Sequence, residues 1–223
     1  MILAICGLGG AGLDVLELAQ VINETSNRYT DFIFIDKNSD ITEFRGYPSM
    51  AVEDAIAKYG KDEIEFVVAV GEPYLREKIY HDVIDAGYSL ATLVYPSVHV
   101  PKSTTLGQGT VIYSGAFISV DCKLDENVMI QANSSIGHGV TIGKHSVVST
   151  CAAVAGDCSI GEKTYVAIQT AMKQGVSLGD WVILGMGSVV HEDIPDEVIV
   201  SGNPAQVVCK NRFHRVFGLS PKR

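Results

Sequence analysis

The stretch Ile136-Gly137-His138-Gly139-Val140-Thr141-Ile142-Gly143-Lys144-His145-Ser146-Val147-Val148 repeats its pattern after six residues. An aliphatic residue stands at 136, 142 and 148, and Gly follows the first two. The register extends in both directions. Every sixth residue from Val94 to Val190 is aliphatic, through Ile112, Ile130, Val154 and Leu178. A small or β-branched residue lies four places after most of them, as at Thr104, Ala116, Cys122, Ser146, Thr164 and Ser188. A helix places apolar residues every 3.6 positions and a flat strand every 2, so a strict six fits neither. It fits a short straight segment, a corner and another segment. Three segments close a triangular coil of about 18 residues, a unit that buries its face only by stacking on its neighbours. The aliphatic residue points into the coil, and the small residue lets the next segment pack. At a strand spacing of ~4.8 Å, residues 94–195 predict a prism roughly 27 Å long.

The composition agrees with such a prism. Of 223 residues, 47% are hydrophobic but only 8% aromatic and 19% charged, with 22 Gly. Disorder needs low hydrophobicity and high charge, and is excluded. The Gly residues have no period of three, which excludes collagen. No apolar run reaches the ~18 residues of a membrane span. Met1 leads directly into Ile2-Leu3-Ala4-Ile5 without a basic segment, so no signal peptide is expected. The net charge is −9, and residues 1–93 hold 16 acidic against 7 basic residues while the remainder balances. That argues against a nucleic-acid partner. Cys6, Cys122, Cys151, Cys158 and Cys209 form no C-x-x-C, and are expected to be reduced in a cytoplasmic protein.

The first 93 residues read differently. Met1–Cys6 predicts a buried strand, followed by Gly7-Leu8-Gly9-Gly10-Ala11-Gly12 and a helical pattern to about Asn23. This is G-x-G-x-x-G between strand and helix, where glycines let the backbone approach a phosphate at a helix N-terminus. The same pattern also serves as a tight packing turn with no ligand. A second strand, Phe32–Ile35, ends in Asp36, placed to hold a ribose hydroxyl. A helix near 51–59, a third strand over Ile64–Val70, a helix near 74–86 and a fourth strand over Ser89–Val94 complete the reading. One such half suits a mononucleotide or nucleotide-sugar better than a dinucleotide. The expected organisation is a small Rossmann-like domain over 1–93, a β-prism over 94–205 and a basic tail over 206–223.

The six-residue period resembles that of the hexapeptide-repeat acyltransferases, which implies a left-handed parallel β-helix. With the Rossmann-like half, the chain resembles the NeuD/PglD family of sugar O- and N-acetyltransferases over nearly its whole length. The likeness rests on Gly7–Gly12, Phe34-Ile35-Asp36-Lys37, Val70-Gly71-Glu72-Pro73-Tyr74-Leu75-Arg76, Ile136-Gly137-His138-Gly139 and Val200-Ser201-Gly202-Asn203-Pro204-Ala205. It implies an acetyl-CoA-dependent acetyltransferase of bacterial surface-glycan biosynthesis, assembled as a homotrimer. It also implies that Gly9, Gly10, Asp36, Gly71, Glu72 and Arg76 line the nucleotide-sugar site, that His138 is the catalytic base, and that Gly156 lies near the acetyl group.

Acetyl transfer needs a base for the acceptor proton and donors for the tetrahedral oxyanion, and His is the natural base near pH 7. Adding one coil to His138 reaches Gly156, whose bare backbone would face the thioester. A further coil reaches Gln174, on the strip expected to meet the pantetheine arm. Some family members carry an acid directly after this His, where this chain has Gly139. Coil arithmetic places Asp121 and Asp157 on either side of Gly139 in one column, so either could orient His138. Ala11 stands where many members carry His in the Gly loop.

Lys210, Arg212, Arg215, Lys222 and Arg223 could meet the phosphates of coenzyme A, or form a solvated tail. The alternative to an enzyme is a non-catalytic regulatory or scaffold protein of a sugar pathway, which the Gly139 and Ala11 departures motivate. A zinc hydratase would need a cluster of three His. His138 and His145 are seven apart with no third His one coil away, so no metal is expected.

Overall fold

The computed structural model describes residues 1–37 and 40–217. In the N-terminal region, β1 (Ile2–Cys6) is central, flanked by β2 (Asp31–Ile35) and β5 (Ile64–Val68), both parallel to it. A hairpin of β3 (Glu43–Phe44) and β4 (Tyr47–Met50) extends the sheet, with β4 parallel to β2. Sequence reading assigned no strand to this hairpin. The helices are α1 (Gly10–Ser26), α2 (Val52–Lys58) and α3 (Pro73–Ile84). Strands buried on both faces read as unbroken apolar runs, and Leu3, Ala4 and Ile5 are accordingly fully buried.

The expected fourth strand divides its allegiance. Leu90 bridges to Phe66 in the N-terminal sheet, whereas β6 (Leu93–Val94) pairs with Val111–Ile112 in the prism. The prism therefore begins at Leu93, one residue before the expected boundary, and the two regions are joined without a linker.

The prism is a left-handed parallel β-helix. Its two-residue strands form three parallel ladders, with partners one coil apart, as in Met129↔Val147, Ser135↔Ala153 and Thr141↔Ser159. The six-residue aliphatics from Ile112 onward form one continuous buried core. The small-residue register has a second cause besides space. Ser146 Oγ donates to the Gly161 carbonyl, and Thr164 Oγ1 donates to the Gly179 carbonyl, satisfying half-buried carbonyls at the corners. Gly143 is needed for the close stacking, because a methyl there would lie 2.7 Å from the Glu162 nitrogen.

A further register is hidden in the backbone. Every sixth residue from Gly109 to Gly187 has a positive φ, which makes one left-handed residue per corner. Five are Gly, but the others include Asp121, Asn127, Gly139's successor His145, Asp157, Lys163 and Trp181. These positions stack into three columns, one of which meets the N-terminal region through Asn127 and Lys163 and another of which carries Gly139 and Asp157.

The end of the chain also departs from expectation. Residues 206–210 are a strand, Gln206–Lys210, antiparallel to Val198–Ser201, rather than the start of a tail. The chain then returns along the prism. His214 stacks on Trp181 at 4.2 Å, Arg215 lies over the Tyr74 ring, and Phe217 packs edge-on against Tyr165. Lys222 and Arg223 lie outside the described residues.

Candidate active site

His138 sits on an exposed corner of the prism, with 55% of its side chain accessible. Its ring lies against Gly156. A methyl at Gly156 would stand 2.5 Å from Cε1 and 2.9 Å from Cδ2 of that ring, so the absence of a side chain there permits this rotamer. On the other side of the ring, Nδ1 faces Asp157 Oδ1 at 3.4 Å. The Asp157 amide donates to the His138 carbonyl at 2.7 Å, and Gln174 Nε2 donates to Asp157 Oδ2 at 3.2 Å. His138, Gly156, Asp157 and Gln174 thus converge. Asp121 is exposed, its amide donates to Ser103 Oγ, and among the described residues it makes no contact with His138.

Gly139 explains why the acid comes from the next coil. It has φ +67°, and a methyl on it would lie 2.5 Å from Asp157 Oδ1. The bare residue leaves the space through which the Asp157 carboxylate reaches the ring.

The second expected site lies at the carboxyl ends of the parallel strands. A cavity of about 540 Å³ opens there, lined by Gly7, Asp36, Lys37, Glu53, Lys78 and Asp82 among others. This is where open α/β sheets bind ligands. Lys37 is held below the usual lysine range, chiefly by the neighbouring Lys78. Burial pushes the Cys6 thiol far up, so it is no nucleophile. Gly9 and Gly10 lie beside open space at the start of α1. Gly7 and Gly12 have a packing duty: a methyl on Gly12 would collide with the Gly7 carbonyl, and one on Gly7 would lie 2.7 Å from the Ala69 oxygen. The packing reading therefore holds for Gly7 and Gly12, while Gly9 and Gly10 leave open space without lining the cavity.

Gly71, Glu72 and Arg76 do not join this cavity. Arg76 is fully buried, and its guanidinium donates to the carbonyls of Val68 and Val70, to the Asn127 carbonyl at 2.6 Å and to Asn127 Oδ1 at 2.7 Å. Burial pulls its pKa down to about 9, which leaves it cationic at pH 7. Every donor is spent on protein, so nothing remains for a phosphate. The buried Glu72 carboxylate accepts the backbone N–H groups of Val216 and Phe217, and Gly71 packs against the Phe217 ring. Both residues tie the N-terminal region to the prism.

This junction was not visible in the sequence. Asn127 Nδ2 donates to the Arg76 carbonyl and meets His145 Nδ1 at 3.0 Å. His145 packs against Tyr80, and Lys163 Nζ pairs with Glu77 at 2.9 Å. Desolvation lowers the His145 pKa to about 4. Glu77, His81 and His145 do come within 4.8 Å of one another, a donor set that spacing along the prism could not reveal. Its chemistry does not fit a metal. Arg76 fixes the Asn127 amide with its nitrogen toward His145. Nδ1 must then accept, which puts the proton of the neutral ring on Nε2, the other candidate ligand atom. Glu77 is also taken by Lys163.

Comparison with known proteins fits both regions. The PglD N-terminal domain family matches residues 2–83. The bacterial transferase hexapeptide family matches residues 121–156, and the hexapeptide repeat of succinyl-transferase matches 156–192. The acetyltransferase domain of PglB from Neisseria gonorrhoeae, solved in complex with acetyl coenzyme A, is 27% identical. The alignment covers 93% of this chain and 98% of that one, with a TM-score of 0.86. PerB from Caulobacter crescentus, solved with CoA and GDP-perosamine, is 26% identical over 93% and 97% of the two chains, with a TM-score of 0.84. The architecture is that of the NeuD/PglD-like sugar acetyltransferases. WeeI from Acinetobacter baumannii, at 22% identity and a TM-score of 0.66, shares the fold. Within this NeuD/PglD-like chain, the two departures have different settings. At Gly139, Asp157 from the next coil faces the His138 ring, whereas Ala11 lies in the first turn of α1.

Proposed function

We propose that this chain is an acetyl-CoA-dependent acetyltransferase acting on a sugar or nucleotide-activated amino sugar. Its supply role is bacterial surface-glycan biosynthesis, and it works as a cytoplasmic homotrimer with the site between neighbouring prisms. The observation that carries this reading is the exposed His138 with a carboxylate at Nδ1, set in a PglD-type architecture. A carboxylate at Nδ1 holds the proton there and leaves the Nε2 lone pair as the base. The 3.4 Å separation is of the kind that tightens once substrate is bound.

Nε2 takes the proton from the acceptor hydroxyl or amine as that atom attacks the thioester carbonyl. A tetrahedral intermediate forms and collapses with cleavage of the C–S bond, and the leaving thiolate recovers the proton from Nε2. Asp157 stabilises the transient imidazolium. The Gly156 backbone lies beside the ring, where the acetyl group must come. The cavity at Asp36 is assigned to the nucleotide, and acetyl-CoA is the co-substrate. The exposed apolar Phe117, Ile168, Met186 and Val208 support association of prisms.

The test is acetyl transfer from acetyl-CoA to nucleotide-linked amino sugars, GDP-perosamine first, by the wild type and by His138→Ala. We expect a loss of 10²- to 10⁴-fold in kcat. Full activity in the variant removes His138 as base.

A further inference from the structure

Resting on that reading of His138, we infer that Gln174 is a positioning residue for the imidazole, acting through Asp157 rather than through coenzyme A. Its place on the pantetheine strip suggested a cofactor contact, but its amide nitrogen is committed to Asp157 Oδ2 at 3.2 Å. The three side chains occupy successive coils of one corner, and each step has a defined job.

An exposed carboxylate turns freely about its terminal torsion, which is broad and roughly two-fold. Left alone, Asp157 would present either oxygen, or neither, to the ring. Two restraints act on it. Its backbone is fixed in the left-handed region at φ 58°, with the amide donating to the His138 carbonyl. The Gln174 amide takes Oδ2, which leaves Oδ1 as the atom facing His138 Nδ1. Gly139 provides the opening through which Oδ1 reaches the ring, and Gly175, with no atom near its absent side chain, keeps the corner beside Gln174 open. The histidine is therefore oriented by an acid one coil away, and that acid is itself oriented from the coil beyond. Gln174 is exposed, so changing it leaves the core intact.

The consequence to measure is which ring nitrogen carries the proton in neutral His138. Free imidazole favours the Nε2–H form, whereas a fixed Oδ1 at Nδ1 favours the Nδ1–H form. Nitrogen-15 chemical shifts of the full-length protein, with His138 assigned by its loss in His138→Asn, read this ratio without any acceptor. Calorimetry with acetyl-CoA reads cofactor affinity separately. We expect Gln174→Leu to move the tautomer ratio roughly threefold toward Nε2–H, on the scale of one hydrogen bond to a charged group at an exposed site. Asp157→Asn should move it at least as far, and Gln174→Leu should add nothing in the Asp157→Asn background. Acetyl-CoA affinity should stay within twofold. An unchanged ratio in Gln174→Leu overturns the inference. So does a several-fold loss of acetyl-CoA affinity with the ratio unmoved, which would make Gln174 a cofactor contact. Failure of His138 as base is read independently, from the activity of His138→Ala.

Discussion

The corner column at 127, 145, 163 and 181 and the column at 121, 139, 157 and 175 share one left-handed backbone conformation and carry opposite side chains. The first holds Asn, His, Lys and Trp, and each touches another region of the chain. Asn127 meets Arg76, His145 meets Tyr80, Lys163 meets Glu77, and Trp181 meets His214. The second holds Asp, Gly, Asp and Gly on an open surface. A left-handed conformation costs a residue with a Cβ about 1–2 kcal/mol. In the first column that cost is offset by junction contacts. In the second it is avoided by glycine, except at the two acids, of which one faces the His138 ring. The repeat thus supplies identical corners, and the side chains divide them between the junction and the proposed site.

The comparison breaks most easily at Arg76. Arg76→Met removes the fully buried cation of the junction. It leaves the carbonyls of Val68, Val70 and Asn127 without that donor. Stranding buried acceptors costs about 1–3 kcal/mol each before relaxation, so we expect a loss of about 4 kcal/mol in urea denaturation. Asp157→Asn, in the open column, should change stability by less than about 0.5 kcal/mol. Equal losses in the two variants would erase the distinction between the columns.

Acid sharpens the same contrast. His145 is buried and neutral, with its pKa lowered from 6.5 to about 4 by desolvation, against an opposing pull from Glu77. The unfolded chain binds a proton below about pH 6.5 and the folded chain refuses it until about pH 4. Stability is therefore complete above pH 6.5 and falls as pH drops toward 4, by up to about 3 kcal/mol. Protonation would also set a donor on Nδ1 against the Asn127 amide. Denaturation midpoints at pH 7, 5.5 and 4.5 should show the fall, and His145→Gln should flatten it. A slope unchanged in that variant would assign the acid sensitivity to other groups.

A smaller effect is expected at Gly139. Gly139→Ala places a methyl in a left-handed corner and against Asp157 Oδ1, and should cost about 1–2 kcal/mol. It should also lower kcat, because the carboxylate must withdraw from His138. A variant that loses stability but keeps full activity would separate the Gly139 opening from catalysis.

How much of this was legible in the sequence follows from what each feature depends on. The prism core was legible because each inward aliphatic repeats the same local geometry, and a period survives in any sequence that keeps it. His138, Gly156 and Asp157 were brought together by counting coils, since stacking converts sequence offset into distance. Arg76 and Glu72 read as ligand residues because a motif gives position along the chain but not the direction of a side chain. Only the packing of α3 on the prism turns Arg76 inward and closes Glu72 with residues 216 and 217. The strand at 89–94 misled for a related reason: an apolar run says that a segment is buried, not which of two sheets buries it. The left-handed register at the corners was half visible, through its Gly, Asn and Asp, and was masked wherever His, Cys, Lys, Gln or Trp takes the position.

That masking gives the finest test of the comparison. Cys151 belongs to the third corner column, with φ 60°, an exposed side chain and a free thiol. Its backbone amide donates to the Ala132 carbonyl, a bond any residue can keep. Unlike Asn127 or His145, its side chain makes no junction contact among the described residues to set against the conformational cost. Cys151→Gly should therefore stabilise the protein, although glycine widens the unfolded ensemble and returns part of the gain. We expect a net increase of about 0.5 kcal/mol. Lys163→Gly, at the same backbone conformation, should instead destabilise, because it forfeits the pair with Glu77 and the contact over Trp181. Opposite signs for one substitution at two equivalent corners would show that the contacts, and not the backbone, decide which residues the corners hold. Equal signs would return the choice to backbone conformation alone.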